Sequence, residues 1–201
     1  MITEMKRRKY TMRRRAERQR ETRERIVRAT VALHEEIGPR ATTIQAIADR
    51  AGVERLTVYR HFPDEVTLFA ACSGHFMADH PPPDPETWSQ IEDPVERARR
   101  ALAAFYAYYR TVERMFASVL RDAETLPAMK AITDRFEELL DSIRDDLASG
   151  FRLRGGRRKR LAAALGHGLR FRTWQSLAAE GLSDSESARM IGECARSLAS
   201  R

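Results

Sequence analysis

The chain is poor in cysteine. Cys72 and Cys194 are the only two among 201 residues, too few and too far apart for a disulfide framework or a metal cluster. Long apolar runs are also missing, and nothing approaches the roughly 20 residues that a membrane-spanning helix needs. The N-terminus is basic but lacks the apolar stretch of a secretory signal. A reducing cytoplasm is therefore the expected compartment, with no membrane partner. There is no P-loop, GxSxG, HExxH or GxGxxG motif, and no isolated carboxylate pair in an apolar setting, so no enzyme is expected. His75 and His80 lie five apart without a nearby cysteine or well-placed acid, so neither metal nor other cofactor is expected. No convincing strand pattern and no internal repeat occur. At 42% hydrophobic residues, the chain can still bury a core without staples.

Net charge is also absent from most of the chain. The formal charge of +7 is carried wholly by residues 1–25, which hold 11 Lys and Arg against four Glu. The remaining 176 residues hold 25 basic and 25 acidic side chains. A block of one sign marks an arm that seeks a polyanion. Residues 1–21 are accordingly expected to form a basic, flexible arm, with Arg13, Arg14 and Arg15 at its centre. The plainer alternative is a solubilising tail.

Beyond the arm, apolar spacing is helical almost throughout. Ile26, Thr30, Leu33 and Ile37 define a first helix that Gly38-Pro39 stops. Thr42 or Thr43 caps the next, Thr42 with Gln45 fitting a capping box, and that helix ends near Gly52. Asp64 caps a helix through Leu68, Phe69, Cys72 and Phe76. The prolines of HPPPDPETW (residues 80–88) read as a linker. The stripe from Val95 to Val119 is long enough for two helices with a bend near Thr111 or Glu113. Ile132 to Leu147 forms another. Gly155-Gly156 breaks the chain before an eighth helix carrying Trp174, and Ser183 with Glu186 makes a capping box for the last. The fold class is all-α, with about nine helices.

Within this pattern GVERLTVYRHF (residues 52–62) is anomalous. It is short, bounded by Gly52 and Pro63, and has little to bury beyond Val53 and Val58. Together with the preceding helix it matches a helix-turn-helix. A helix of this size fits the major groove of DNA. Arg55 can bond guanine in bidentate fashion, and Thr57 can meet a thymine methyl or a phosphate. Tyr59 offers a ring and a hydroxyl, and His61 adds a donor near the backbone. Thr43 and the amides after it form a natural phosphate site.

The stretch TTIQAIADRAGVERLTVYRHFPDEVTLF resembles the DNA-binding signature of the TetR family of bacterial transcriptional regulators. The matching elements are the Thr-Thr cap, Ile47-Ala48, Ala51-Gly52-Val53, Thr57, Tyr59, His61-Phe62 and Leu68. The resemblance covers residues 22–69 and implies a helix-turn-helix domain there, followed by a ligand-binding and dimerisation domain over 70–201. It implies base and phosphate contacts from Gln45, Arg55, Leu56, Thr57, Tyr59 and His61, with Thr43 as a backbone anchor. One position departs: where relatives carry a phosphate-binding Lys at the start of the fourth helix, this chain has Glu65 beside Asp64. The basic arm is expected to substitute for it.

The resemblance also implies a homodimer formed by the last two helices. The small residues Ala162, Ala163, Ala164, Gly166 and Gly168 permit close helix approach. Leu161, Leu165, Leu169, Ile191 and Leu198 supply apolar area for such an interface. The alternative is that these helices pack only within one chain. Phe105, Tyr106, Tyr109, Met115, Phe116, Phe136 and Trp174 are candidates for an effector pocket, which the resemblance favours over plain core. The effector is then an apolar or aromatic small molecule. Arg170 and Arg172 are weaker candidates for holding an anionic one. The basic run from Arg152 to Arg160 reads as a solvated connector.

The functional expectation is a transcriptional repressor that an effector releases from a double-stranded DNA operator. The effector would tilt the fourth helix and shift the spacing of the two reading helices. An activator of the same fold, or an architectural protein without sequence preference, are the alternatives.

Overall fold

The computed structural model describes residues 2–200, with side chains from Met12 onward. The side chains of Lys6, Arg7, Arg8 and Lys9 lie outside that range. The described residues form ten helices and no strand, arranged as two compact units. None of the helices is long and apolar enough to cross a membrane.

One unit comprises Met1–Asp79 and Ala117–Lys130. It contains α1 (Ile2–Glu36), α2 (Ile44–Ala51), α3 (Arg55–His61) and α4 (Glu65–Asp79). Helix α1 packs on α2 and α4, and α2 packs on α3. Ile26, Leu33, Ile47, Ala48, Val58, Phe62, Leu68 and Phe69 are buried between them. The boundary drawn from sequence at 69/70 thus falls inside α4, and the unit also takes in a later segment.

That segment has a clear role. Helix α1 stops at Gly38, whose φ of +87° suits glycine. A side chain there would also collide with the Arg121 guanidinium and lie 2.7 Å from Asp122 Oδ2. The buried Asp122 accepts the Arg40 backbone N–H at 3.0 Å and the Arg121 Nε–H at 2.8 Å. Burial alone would raise its pKa. The bonds from Arg121 and Arg40 outweigh burial and hold the carboxyl below its ordinary value.

The expected flexible arm continues the first helix without a break, since α1 begins at Ile2. No Gly or Pro interrupts it, Arg, Gln, Glu and Ala are good helix formers, and Arg20 pairs with Glu24 one turn on at 3.9 Å.

The other unit comprises His80–Phe116 and Ala131–Arg201. It contains α5 (Glu86–Ser89), most of α6 (Pro94–Asp122) and α7 (Pro127–Gly150), then α8 (Gly155–Leu169), α9 (Phe171–Ala179) and α10 (Asp184–Ser200). Three sequence expectations change here. The stripe expected to make two helices with a bend near Thr111 is a single helix, α6. The Thr111 hydroxyl bonds the Tyr108 carbonyl at 2.7 Å inside the helix, and the buried face continues from Ala98 through Phe105 and Val112 to Phe116. The expected eighth helix is two, because Arg170 is extended (φ −74°, ψ 140°). Its guanidinium pairs with Asp141 at 2.7 Å and with Glu137, while Thr173 Oγ1 bonds the His167 carbonyl at 2.6 Å across the break. Arg170 is therefore committed to carboxylates of its own chain. Finally, the run read as a connector is helical from Gly155, and Arg157 caps the end of α10 through the Ala199 carbonyl. The proline-rich linker itself ends in α5, whose Trp88 is buried against Phe105, ring centroids 6.1 Å apart.

Candidate nucleic-acid interface

Helices α2 and α3 are set by their ends. Thr43, not Thr42, caps α2: its Oγ1 accepts the Ala46 N–H at 3.1 Å. Thr42 instead donates its hydroxyl to the Gly38 carbonyl at 2.8 Å. Helix α2 stops at Gly52, which is left-handed (φ 63°, ψ 45°), and the Val53 N–H returns to the Ala48 carbonyl at 3.0 Å. That turn launches α3 across α2.

Within α3 only Val58 is buried, and Phe62, just past its end, is 2% exposed. Everything else on the helix is open or half-open. Leu56 is 67% exposed and Tyr59 40%, unusual for large apolar side chains in so short a helix. Arg55 is exposed, with Nη2 bonded to Tyr59 Oη at 3.2 Å and its guanidinium 5.6 Å from the Tyr59 ring centre. Thr57 and His61 are half-buried. Burial, together with the charges of Arg23 and Arg60, holds the His61 imidazole below its ordinary pKa, which favours the neutral ring. In that form it can offer one N–H but no charge.

The flanking candidates are exposed as well. Thr43 and Gln45 lie open at the start of α2, where the Gln45 amide donates to Asp49 Oδ1 at 2.8 Å. Arg13, Arg14 and Arg15 are exposed on α1. Asp64 caps α4 by accepting the Thr67 N–H at 2.7 Å, and that bond keeps its carboxyl below the ordinary carboxylate range. With Glu65 also exposed, α4 begins with two acids facing solvent.

One residue escaped the sequence reading. Arg23 was counted only as a charge of the arm, yet it donates to the His61 carbonyl at 3.0 Å and stacks over Phe62 at 4.1 Å. A cation at the carbonyl end of α3 suits the helix dipole and fixes α3 against α1. Only the helical spacing from Ile26 back to Arg23 hinted that this residue faces inward.

An open, donor-rich helix face held over a single buried valine is the geometry of a groove-reading helix. Residues 26–72 match the model of bacterial regulatory proteins of the tetR family. That stretch carries the DNA-binding segment of this family. It is 44% identical over 59 residues to the HTH-type transcriptional repressor KstR of Mycobacterium tuberculosis, and 42% identical over 59 residues to KstR of Mycolicibacterium smegmatis. Each match covers 29% of this chain, and only 27% and 29% of those relatives. Over most of its length the chain has the same fold as a TetR-like transcriptional regulator from Rhodococcus sp. RHA1. That likeness has a TM-score of 0.62 at 21% identity, and covers 90% of this chain and 97% of the other.

The effector and dimer candidates lie in the second unit. Phe105, Tyr106, Tyr109, Met115, Phe116 and Trp174 are buried and Phe136 half-buried. Phe105, Tyr109, Phe116, Phe136 and Trp174 meet as one cluster. Tyr109 lies 5.8 Å from Phe116 and 6.0 Å from Trp174, and Phe136 meets Phe116 edge-on at 5.0 Å. Phe171, not foreseen, joins at 5.5 Å from both Tyr109 and Trp174. Tyr106 and Tyr109 donate to the carbonyls of Gly168 and Leu169 at 2.8 and 2.6 Å, and burial pushes both phenols up. A groove of about 600 Å³ lies elsewhere, between α7 and α8. It is polar, lined by Arg144, Asp145, Arg158, Lys159 and His167 among others, and none of the seven candidates borders it.

Three dimer candidates need correction. Leu161, Leu165 and Leu169 are fully buried within the chain itself, because their stripe is the side of α8 that faces its own core. Gly166 and Gly168 serve the same internal packing: a side chain at Gly168 would strike Ile191 of α10, and one at Gly166 would strike Arg144. Ile191 and Leu198 are half-buried. The open side of α8 carries Lys159, Ala163 and His167, and that of α10 carries Met190, Glu193, Cys194 and Ser197.

Proposed function

We propose that this protein is a homodimeric transcriptional repressor that reads a DNA operator with α3 and is released by a small apolar or aromatic effector. The observation that carries the reading is the open face of α3, with Arg55, Leu56 and Tyr59 exposed above the buried Val58. Arg55 reads guanine, Leu56 and Thr57 meet thymine methyls or sugar, and Tyr59 and His61 reach backbone oxygens. Thr43 and Gln45 contact the flanking phosphate and base edge. Repression rather than activation is favoured by the name of the relatives that share this segment, both HTH-type transcriptional repressors.

A dimer built on the open sides of α8 and α10 presents two copies of α3, and so calls for two half-sites about one helical turn apart. The effector acts by binding the DNA-incompetent state more tightly, and the coupling is reciprocal: operator must weaken effector binding by the same factor. The aromatic cluster around Tyr109 is the region where an apolar ligand would find complementary surface. Selection from a pool of random duplexes tests the core of this reading. Enrichment of an inverted repeat with a guanine in each half-site is expected. Equal retention of all sequences would defeat it in favour of an architectural protein.

A further inference from the structure

The basic stretch and the reading helix are mechanically connected. Arg23 of α1 holds the C-terminal end of α3 through the His61 carbonyl at 3.0 Å and the Phe62 ring at 4.1 Å. Two residues on, Arg25 lies beside the α2–α3 turn, its Nη1 3.8 Å from where a side chain on Gly52 would begin. From that point α1 runs on toward its N-terminus without a break, and every residue from Met12 to Glu21 is exposed. Arg13, Arg14, Arg15, Arg18 and Arg20 lie in this stretch against Glu17 and Glu21. At about 1.5 Å per residue, Arg13 to Arg20 occupy the helix from roughly 5 to 15 Å beyond the Arg23 contact.

Helix geometry decides what this surface can meet. An α-helix with side chains is about 10–12 Å across, whereas the minor groove of B-DNA is only about 6 Å wide. The major groove at the half-site is filled by α3. What lies within reach is the phosphate backbone that flanks the half-site past the end of α3. Helix α4, which opens with the exposed acids Asp64 and Glu65, brings no cation to that backbone at its start. Arg14 and Arg18 share one face of α1, and Arg13 and Arg20 another, so guanidinium groups line two sides of this stretch.

We propose that residues 12–21 act as a helical phosphate clamp, a rigid extension of α1 that grips the DNA backbone beside the site read by α3. The clamp rests on the groove reading, since only DNA held by α3 brings phosphates to it. It adds affinity and salt dependence to every duplex, and no base preference.

Full-length variants separate charge from rigidity. Arg13→Gln/Arg14→Gln/Arg15→Gln removes three cations. Ala16→Pro keeps every charge but breaks the helix at an exposed position well before the first buried residue, Ile26, and an unchanged melting temperature verifies that the rest is folded. Each is titrated against a random-sequence duplex and against the duplex that the full chain enriches. For the triple variant, binding to both duplexes should weaken at least tenfold at low salt, and the slope of log Kd against log salt should fall by about 2–3. Ala16→Pro should move affinity in the same direction on both duplexes. An unchanged salt slope in the triple variant overturns the clamp. Wild-type affinity in Ala16→Pro overturns it too, in favour of a flexible polycationic tail. Equal affinity of the full wild-type chain for the two duplexes would defeat the groove reading, and the clamp that rests on it, whatever the arginine variants do.

Discussion

Arg55 leaves α3 with its guanidinium already steadied by Tyr59. A base contact therefore starts from an oriented fork, and less side-chain entropy is lost on binding. Arg55→Ala should weaken operator binding by about 1–3 kcal/mol and relax preference at one base in each half-site, read by competition among single-base operator variants. A uniform loss across all of them would show a phosphate contact instead. His34 poses a different question. It is 1% exposed, its Nδ1 is 3.7 Å from Cys72 Sγ, and its Nε2 has no hydrogen-bond partner. Burial lowers its pKa to about 4 from an ordinary 6.5, the Asp122 carboxylate opposing that only in part. The unfolded chain therefore takes up the proton first. Stability is intact above 6.5, declines as pH falls from 6.5 toward 4, and the loss levels off below that at about 3 kcal/mol. Asp122, whose pKa is also lowered, acts in the same sense but at lower pH: its stabilisation is present above the ordinary carboxylate value and lost as pH falls through the folded one. Denaturant midpoints at pH 7 and pH 4.5 should differ clearly in the wild type and much less in His34→Gln; equal differences would exclude His34 as the source.

At the scale of the element, caps and turns do more than length. Helix α2 is eight residues long and α3 seven, too short to persist alone. They are held by the Thr43 cap, the left-handed Gly52 and the Arg23 bond at the end of α3. Thr43→Ala should cost about 0.5–2 kcal/mol of stability, measured by denaturant unfolding. It should also weaken DNA binding beyond what Thr43→Ser does, because serine preserves both the cap and the hydroxyl. Elements also explain the departures from periodicity. Helix α6 continues unbroken through Thr111, whose hydroxyl finds its partner one turn back inside the helix. Helices α8 and α9 separate at Arg170 because the carboxylates of Glu137 and Asp141 draw its guanidinium and the backbone turns extended there.

For the whole molecule, the distinction that matters is between the inner and outer sides of α8. Leu165 faces its own core and Ala163 faces solvent. Leu165→Ala should destabilise the folded chain by about 2–5 kcal/mol in denaturant unfolding. Ala163→Arg should leave unfolding nearly unchanged and convert dimer to monomer in sedimentation. A dimeric Ala163→Arg would move the proposed interface off this side of α8.

Much of the first unit was legible from local signals. Gly38-Pro39, the Thr-Thr pair, Gly52 and Asp64 are punctuation whose physics acts within a few residues, so the ends of α2, α3 and α4 follow from the sequence. The open face of α3 was legible for the same reason: a seven-residue helix with one buried valine has nothing else to hide. Spacing alone could not say which apolar stripe faces inward and which faces a partner. Leu161, Leu165 and Leu169 look alike to either role, and only packing against the rest of the chain assigned them to the core. Nor could charge alone tell a flexible arm from a helix, or a floating Arg23 from one bonded to the end of α3. Those are long-range facts. Local sequence determined where helices begin, end and stay polar, because caps, turns and propensities act over one or two turns. Tertiary structure decided which faces meet, because burial depends on residues far away in the chain.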